Sequence, residues 1–205
     1  MKKFNKNRRC IECPLCNSKN NKTISIFNTE FISKFLIAGN EKKYLKNIWG
    51  DCIKKELCEN CGLMFANPFV PGDKEYYSKA YSDEKLYPAK RWEFKETLKF
   101  LSDKKNESLL EIGSGNGAFL KKAKDLLKVN NIFSLEYSNN SIKILRDMGI
   151  NAYQQDFLNF TPPQKIHNIC MFQVLEHMGD IDLVIKKLHK TLEKNGFGID
   201  SPPNT

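Results

Sequence analysis

The chain has 205 residues, of which 40% are apolar, and a formal net charge of +9. Such an apolar share supports a packed core and excludes a disordered chain. No run of about 18 apolar residues occurs, so no membrane-spanning helix is expected, and the basic start MKKFNKNRRC leads into Glu12 and Cys13 rather than an apolar signal core. A cytoplasmic, unexported protein is the expectation.

The charge is uneven: residues 1–60 hold 13 Lys/Arg against 6 Asp/Glu, an excess of 7, while the rest holds an excess of 2. Any preference for a polyanion would lie in the N-terminal part. A Lys- and Asn-rich composition with solvated lysines accounts for the same excess without a nucleic-acid partner.

Residues 1–12 read as a basic tail and residues 13–66 as a zinc-binding module bracketed by two cysteine pairs. Between the pairs, Phe31, Ile32, Phe35, Leu36 and then Tyr44, Leu45, Ile48, Trp49 fall at helical spacing, interrupted by Gly39-Asn40. Residues 67–90, rich in Pro, Gly and Tyr, read as a linker laid over a surface. A helix over 91–103, with Trp92, Phe94, Leu98 and Leu101 on its apolar side, leads into a second domain at 91–205. There, short apolar runs at 109–112, 132–135, 168–174 and 197–199 alternate with helical stretches at 118–128, 140–148 and 180–193. That alternation predicts an α/β fold with a mostly parallel sheet and right-handed crossovers.

Seven cysteines in a chain of this kind point to metal binding rather than disulfides, because the cytosol keeps thiols reduced. Cys13-Pro14-Leu15-Cys16 and Cys58-Glu59-Asn60-Cys61 are two CxxC knuckles, and together they can offer four thiolates to one structural zinc. The 41 residues between the pairs exceed common zinc-finger spacing. Cys10 and Cys52 are alternative ligands, read more simply as a tail thiol and an isolated loop thiol. Cys170, inside a strand, reads as core.

LLEIGSGNGAFL, from Leu109 to Leu120, sets a buried strand, a glycine-rich turn and a helix start in succession. Gly113, Gly115 and Gly117 let the backbone turn sharply and approach a ligand, and the helix start offers N–H groups to oxygen atoms. The spacing GxGxG differs from the GxGxxG/A of a dinucleotide site, which argues against NAD or FAD. Glu136 ends the next strand, 19 residues after Gly117, where a carboxylate can accept from both hydroxyls of a ribose. Asp156 lies 20 residues further on and can accept from an adenine amine, with Phe157 against the ring. Taken singly, Asp156 is equally a helix N-cap and Glu136 a solvent-facing strand end; their order and spacing suit an adenosine ligand.

Residues 108–203, through EIGSGNG, LEYS, QQDF, FQVLEHMGD and LHKTLEKNGFGIDSPPN, resemble the class I S-adenosylmethionine-dependent methyltransferases. The resemblance implies a Rossmann-like, doubly wound fold and S-adenosyl-L-methionine as cofactor. It assigns Glu111 and the three glycines to the methionine end, Glu136 to the ribose, and Asp156 with Phe157 to the adenine. Gln173 and Val174 would line the methionine side of the cleft.

Ligands of open α/β sheets bind beyond the strand C-termini, which places QVLEHMGD where an acceptor meets the methyl group. His177 is the candidate base and Glu176 its orienting or electrostatic partner; the alternative is that both only cap the next helix or close the cleft. Small-RNA 2′-O-methyltransferases and ubiquinone-pathway O-methyltransferases use a similar ExxEH pattern for a divalent cation, but Gln173 stands at the first Glu, so no metal is expected there.

The order CPLC, CENCGLMFANP, a Tyr-rich stretch and RWEF resembles zinc-ribbon methyltransferases of bacterial sugar and surface-polysaccharide modification. That implies a nucleotide-linked sugar or glycan precursor as acceptor. The runner-up is a ribosomal-RNA methyltransferase with an N-terminal zinc finger. A complete class I sheet has seven strands and this chain stops at SPPNT after the fifth, so two strands and a helix are expected to be absent. The fifth strand would then be an exposed edge open to a partner or to self-association. A truncated fragment that binds zinc and cofactor without turnover is a further reading.

Overall fold

The structure, a computed structural model, describes residues 12–34, 45–46, 49–70 and 91–201. Cys10, Phe35, Leu36, Tyr44, Ile48 and residues 71–90 of the expected linker lie outside the described residues. The chain divides into two compact units, Met1–Pro71 with Gly179–Asp182, and Gly72–Met178 with Leu183–Thr205.

In the first unit, β1 (Asn21–Asn28), β2 (Cys52–Cys58) and β3 (Met64–Asn67) form an antiparallel sheet in that order. Asn28 ends β1 and caps the short helix α1 (Thr29–Ser33), its side chain accepting the Phe31 N–H at 3.1 Å. Glu56, directly opposite Thr23 across the β1–β2 ladder, is buried, and both its oxygens accept the Thr23 hydroxyl, at 3.0 and 3.1 Å. These strands were not read from the sequence. The bulge between Thr23 and Ser25 and the run Lys54-Lys55-Glu56 break the period of two that would have marked them.

The second unit holds a five-stranded parallel sheet of order β6-β5-β4-β7-β8: β4 (Ser108–Ile112), β5 (Asn131–Leu135), β6 (Asn151–Tyr153), β7 (Ile166–Phe172) and β8 (Leu192–Ser201). Between them run α2 (Trp92–Ser102, ahead of β4), α3 (Ala118–Leu127), α4 (Asn139–Asp147) and α5 (Ile181–Thr191). β4 is central and buried throughout, and alternate side chains feed two cores. Leu109, Cys170 and Phe172 face Phe94, Leu98 and Leu101 of α2, Phe119 and Leu120 of α3, and Leu145 of α4. Leu110, Ile112, Ile169 and Met171 face Val184 and Leu188 of α5 on the other side. The predicted doubly wound α/β fold is the observed one, and among the described residues β6 and β8 are the outer strands.

Three details differ from expectation. The strand expected over 168–174 ends at Phe172, because Gln173 turns to φ 56° and donates its N–H to the Ser201 carbonyl at 2.9 Å. The helix expected to reach 193 ends at Thr191, since Leu192 already pairs with Ile166 in the ladder. Trp92 is 60% exposed, because the buried stripe of α2 runs through Phe94, Thr97, Leu98 and Leu101 and leaves the helix's first residue on the opposite side.

Candidate functional site

β4 and β7 are neighbours, while the connections after them lead to opposite ends of the sheet, so a crevice opens between their C-terminal ends. The glycine-rich turn sits at that crevice. Gly113 has φ +71°, and a Cβ there would meet Val174 Cγ2 at 2.7 Å; Gly117 has φ +78°, and a Cβ would meet Leu145 Cδ2 at 2.6 Å. Both the backbone angle and the close packing therefore require glycine. The Val174 contact joins the turn after β4 to the turn after β7.

Glu136 closes the turn from β5. Its Oε2 accepts the Gly115 N–H at 2.7 Å, and its Oε1 accepts the N–H groups of Tyr137 at 2.6 Å and Ser138 at 3.0 Å. Asp156, after β6, is used twice: Oδ1 accepts the Leu158 N–H at 2.7 Å, the capping contact, and Oδ2 accepts the Tyr137 hydroxyl at 2.8 Å. Glu136 and Asp156 are thus linked through Tyr137, a residue sequence reasoning missed although it directly follows Glu136. Phe157 is 3% exposed within the α5-side core, with Lys187 Nζ 5.7 Å from its ring centre. Its neighbours are core side chains rather than open space.

Glu111, on β4, is 2% exposed and its Oε2 has no hydrogen-bond partner. Burial first, and then the nearby Glu136, push its carboxyl well above the usual range, partly offset by Arg91. Arg91 precedes α2 and pairs with Glu93, Nη2 to Oε1 at 2.9 Å. Burial works to raise the Glu93 carboxyl, and the Arg91 contact outweighs it, so the group lies below its ordinary range. Neither Arg91 nor Glu93 was singled out in the sequence.

Beyond β7, Leu175–His177 form a 3-10 turn. Gln173 is exposed, and His177 has its imidazole held below the usual value by desolvation. Glu176 Oε2 is without a hydrogen-bond partner, and desolvation raises its carboxyl. Asp200, on β8, has an equally unpartnered Oδ1 and is pushed up to about 6 by burial and by Glu176. Cys170 is fully buried, as expected.

In the first unit Cys58 ends β2 and Cys61 lies in the connection to β3, and the segment ahead of β1 carries Cys13 and Cys16. The Cys58 N–H donates to the Leu63 carbonyl at 2.8 Å, and the Cys13 carbonyl accepts the Asn17 N–H at 2.9 Å, which fixes each knuckle. All four sulfurs lie within 4.8 Å of one another, with Cys13–Cys61 and Cys16–Cys58 each 3.6 Å apart. Four thiolates about 2.3 Å from a tetrahedral zinc would stand about 3.8 Å apart, so the set fits that ion. Cys52 is exposed and outside the cluster.

A parallel sheet with helices on both faces and a glycine turn strapped to the next strand's acidic end defines a Rossmann-like α/β protein. The sequence profile of the family described as "Methyltransferase domain" matches residues 87–199, more than half of the chain, and the chain belongs to that family. Among solved structures, the plantazolicin methyltransferase BpumL, bound to a pentazolic desmethylPZN analog and S-adenosylhomocysteine, is similar with a TM-score of 0.50 and 18% identity, over 61% of this chain and 52% of that one. A chain from a complex containing the Haloferax volcanii Trm112 methyltransferase activator is similar with a TM-score of 0.51 and 14% identity, over 60% of this chain and 57% of that one. The chain thus spans little more than half the length of these neighbours. No curated protein matches the chain.

Proposed function

We propose that the second unit binds S-adenosyl-L-methionine and transfers its methyl group to a small-molecule acceptor. One observation carries the reading: Glu136 holds the glycine turn by the Gly115 N–H while its Oε2 keeps a further lone pair, at the position where a ribose would lie. Family membership, and the S-adenosylhomocysteine in BpumL, support the cofactor. The unpartnered, buried Oε2 of Glu111 beside a turn that admits no Cβ fits the methionyl end.

In this reading Glu136 receives the ribose hydroxyls. Asp156 and Tyr137, joined by their hydrogen bond, receive the adenine edge, and Phe157 supports that wall from the core. Gln173 and the glycines line the methionyl side. When bound, the cofactor supplies an electrophilic methyl group on sulfur, and acceleration comes chiefly from alignment of the acceptor with it. His177, whose imidazole desolvation holds below its usual value, takes the acceptor's proton. Glu176 is its orienting or electrostatic partner.

The acceptor we propose is a nucleotide-linked sugar or surface-glycan precursor, on the strength of the CPLC and CENCGLMFANP resemblance. Zinc at Cys13, Cys16, Cys58 and Cys61 is structural, since four thiolates leave no open position. No described helix is long and apolar enough to cross a membrane, and free thiols at metal spacing suit the cytoplasm. Calorimetric titration with S-adenosylmethionine, S-adenosylhomocysteine and NAD tests the cofactor assignment. Micromolar binding of the sulfur nucleosides without NAD binding supports it, and binding of NAD alone overturns it.

A further inference from the structure

The segment ahead of β1 is joined to its sheet by a small cluster: Cys13, Cys58 and Phe65 are buried together, with Cys16, Leu63 and Phe69 packed against them. A core of that size does not hold two chain segments together without a cross-link. The four sulfurs of the cluster differ in access. Cys13 and Cys58 are buried, Cys16 is half-buried and Cys61 is exposed. Each of the 3.6 Å contacts joins a buried sulfur to a more accessible one, Cys13 to Cys61 and Cys58 to Cys16. Both contacts run between the two knuckles, not within one.

That pairing suits oxidation as well as metal binding. A zinc ligand is already a thiolate, the form that reacts with oxidants. An oxidant meets the accessible sulfur of each pair first, and the buried sulfur stands beside it, placed to displace the oxidised group. Disulfide sulfurs lie about 2.05 Å apart, so each pair has about 1.5 Å to close. Bonds within the knuckles would leave the segment ahead of β1 unattached. Bonds between them attach it at two points, as a shared metal does.

We propose that Cys13, Cys16, Cys58 and Cys61 form a reversible oxidation site for hydroperoxides, at which a zinc cross-link is exchanged for two disulfides, Cys13–Cys61 and Cys16–Cys58, that tie the same segments together. The inference rests on the zinc reading above and goes beyond it. With hydrogen peroxide, the Cys61 thiolate attacks one oxygen, the O–O bond breaks, and the departing hydroxide takes up a proton as water. The Cys13 thiolate then attacks the Cys61 sulfur; the S–S bond forms, the S–O bond breaks, and a second hydroxide leaves and is protonated. Cys16 and Cys58 repeat the sequence. Four thiolates are thereby oxidised to two disulfides, two peroxide molecules are reduced, four protons are consumed, and the ion is released for want of thiolates.

Oxidation and chelation should therefore differ in outcome although both remove the metal. A chelator takes the cross-link away and should open β2 to amide exchange, whereas peroxide replaces the cross-link and should leave β2 protected. The full chain, reduced and zinc-loaded, is treated with a few equivalents of hydrogen peroxide and followed by zinc release, intact mass, disulfide mapping and hydrogen exchange. Zinc should leave in step with the loss of four hydrogen masses, and the mapped bonds should be Cys13–Cys61 and Cys16–Cys58. Exchange over Cys52–Cys58 should stay at least about 10-fold slower than in the reduced, chelated chain, and dithiothreitol with zinc should restore the starting state. Bonds within the knuckles, the opposite pairing between them, or zinc retained under excess peroxide would each overturn the exchange and leave the zinc reading intact. A reduced, folded chain that binds no zinc overturns the zinc reading, and the exchange with it.

Discussion

The Glu136 carboxylate and the Gly115 amide lie 2.7 Å apart, and this contact fastens the turn after β4 to the end of β5. Three backbone N–H groups converge on Glu136, so the residue that we propose for the ribose also shapes the turn. The turn's geometry and the proposed binding site are therefore not separable by deleting this side chain. Other positions separate them.

Gly117→Ala is one. Its φ of +78° and the 2.6 Å approach of Leu145 Cδ2 to a built Cβ require both a strained backbone and a shifted core leucine. The variant should lose about 1–3 kcal/mol of stability, read from denaturant unfolding. A change below about 0.5 kcal/mol would mean that the turn relaxes freely.

Removal of metal should act on the first unit. Elemental analysis should return one zinc per chain, and Cys58→Ser should lower that occupancy, because Cys58 is fully buried and contributes one of four clustered sulfurs. A strong chelator should unfold the three-stranded sheet, since ligand binding and folding of such sites are coupled. A zinc-free protein whose near-ultraviolet spectrum is unaffected by chelator would show that the thiols merely cluster.

Asp200 gives a pH-dependent prediction. Burial, then Glu176, raise its carboxyl from 3.8 to about 6, partly offset by the Ser201 backbone. The folded state thus binds this proton more tightly than the unfolded state. The associated stability is fully present below about pH 3.8 and is lost as pH rises through about 6. Asp200→Asn should therefore stabilise the protein at pH 7.5 by about 1 kcal/mol, a figure discounted for the residue's partial exposure. The difference should fade toward pH 4; an effect independent of pH would assign it to packing.

His177→Ala should lower turnover about 100-fold or more while S-adenosylhomocysteine affinity stays within about twofold, if the imidazole is the base. Because desolvation lowers its pKa, the acid limb of the rate profile should be centred below 6.5. Unchanged turnover would leave His177 as a turn residue only.

Much of this was legible in the chain because it is written locally. The strand, turn and helix of 109–120 follow one another without interruption, and Glu136 and Asp156 stand where the next strands end. Two CxxC pairs announce a metal set even across the long gap between them. What escaped depends on tertiary packing. Arg91 stands over the ring of Phe94, which packs against both Phe119 and Phe172, and no spacing rule connects those numbers. Phe157 reads from the sequence as an adenine wall, and its burial follows from helix α5 covering that face. The left-handed turn at Gln173 is set by its pairing with Ser201 on β8, not by its own propensity.

Ligand-dependent thermal unfolding of the full chain tests most directly whether the crevice beside Gly113, Gly115 and Gly117 holds a sulfur nucleoside, as we propose. S-adenosylhomocysteine at about 100 times its dissociation constant should stabilise the protein by about 2.7 kcal/mol. The midpoint should rise with ligand concentration in the unmodified chain and far less in Glu136→Ala. A folded, cooperatively melting protein whose midpoint ignores S-adenosylhomocysteine up to millimolar concentration would contradict the claim.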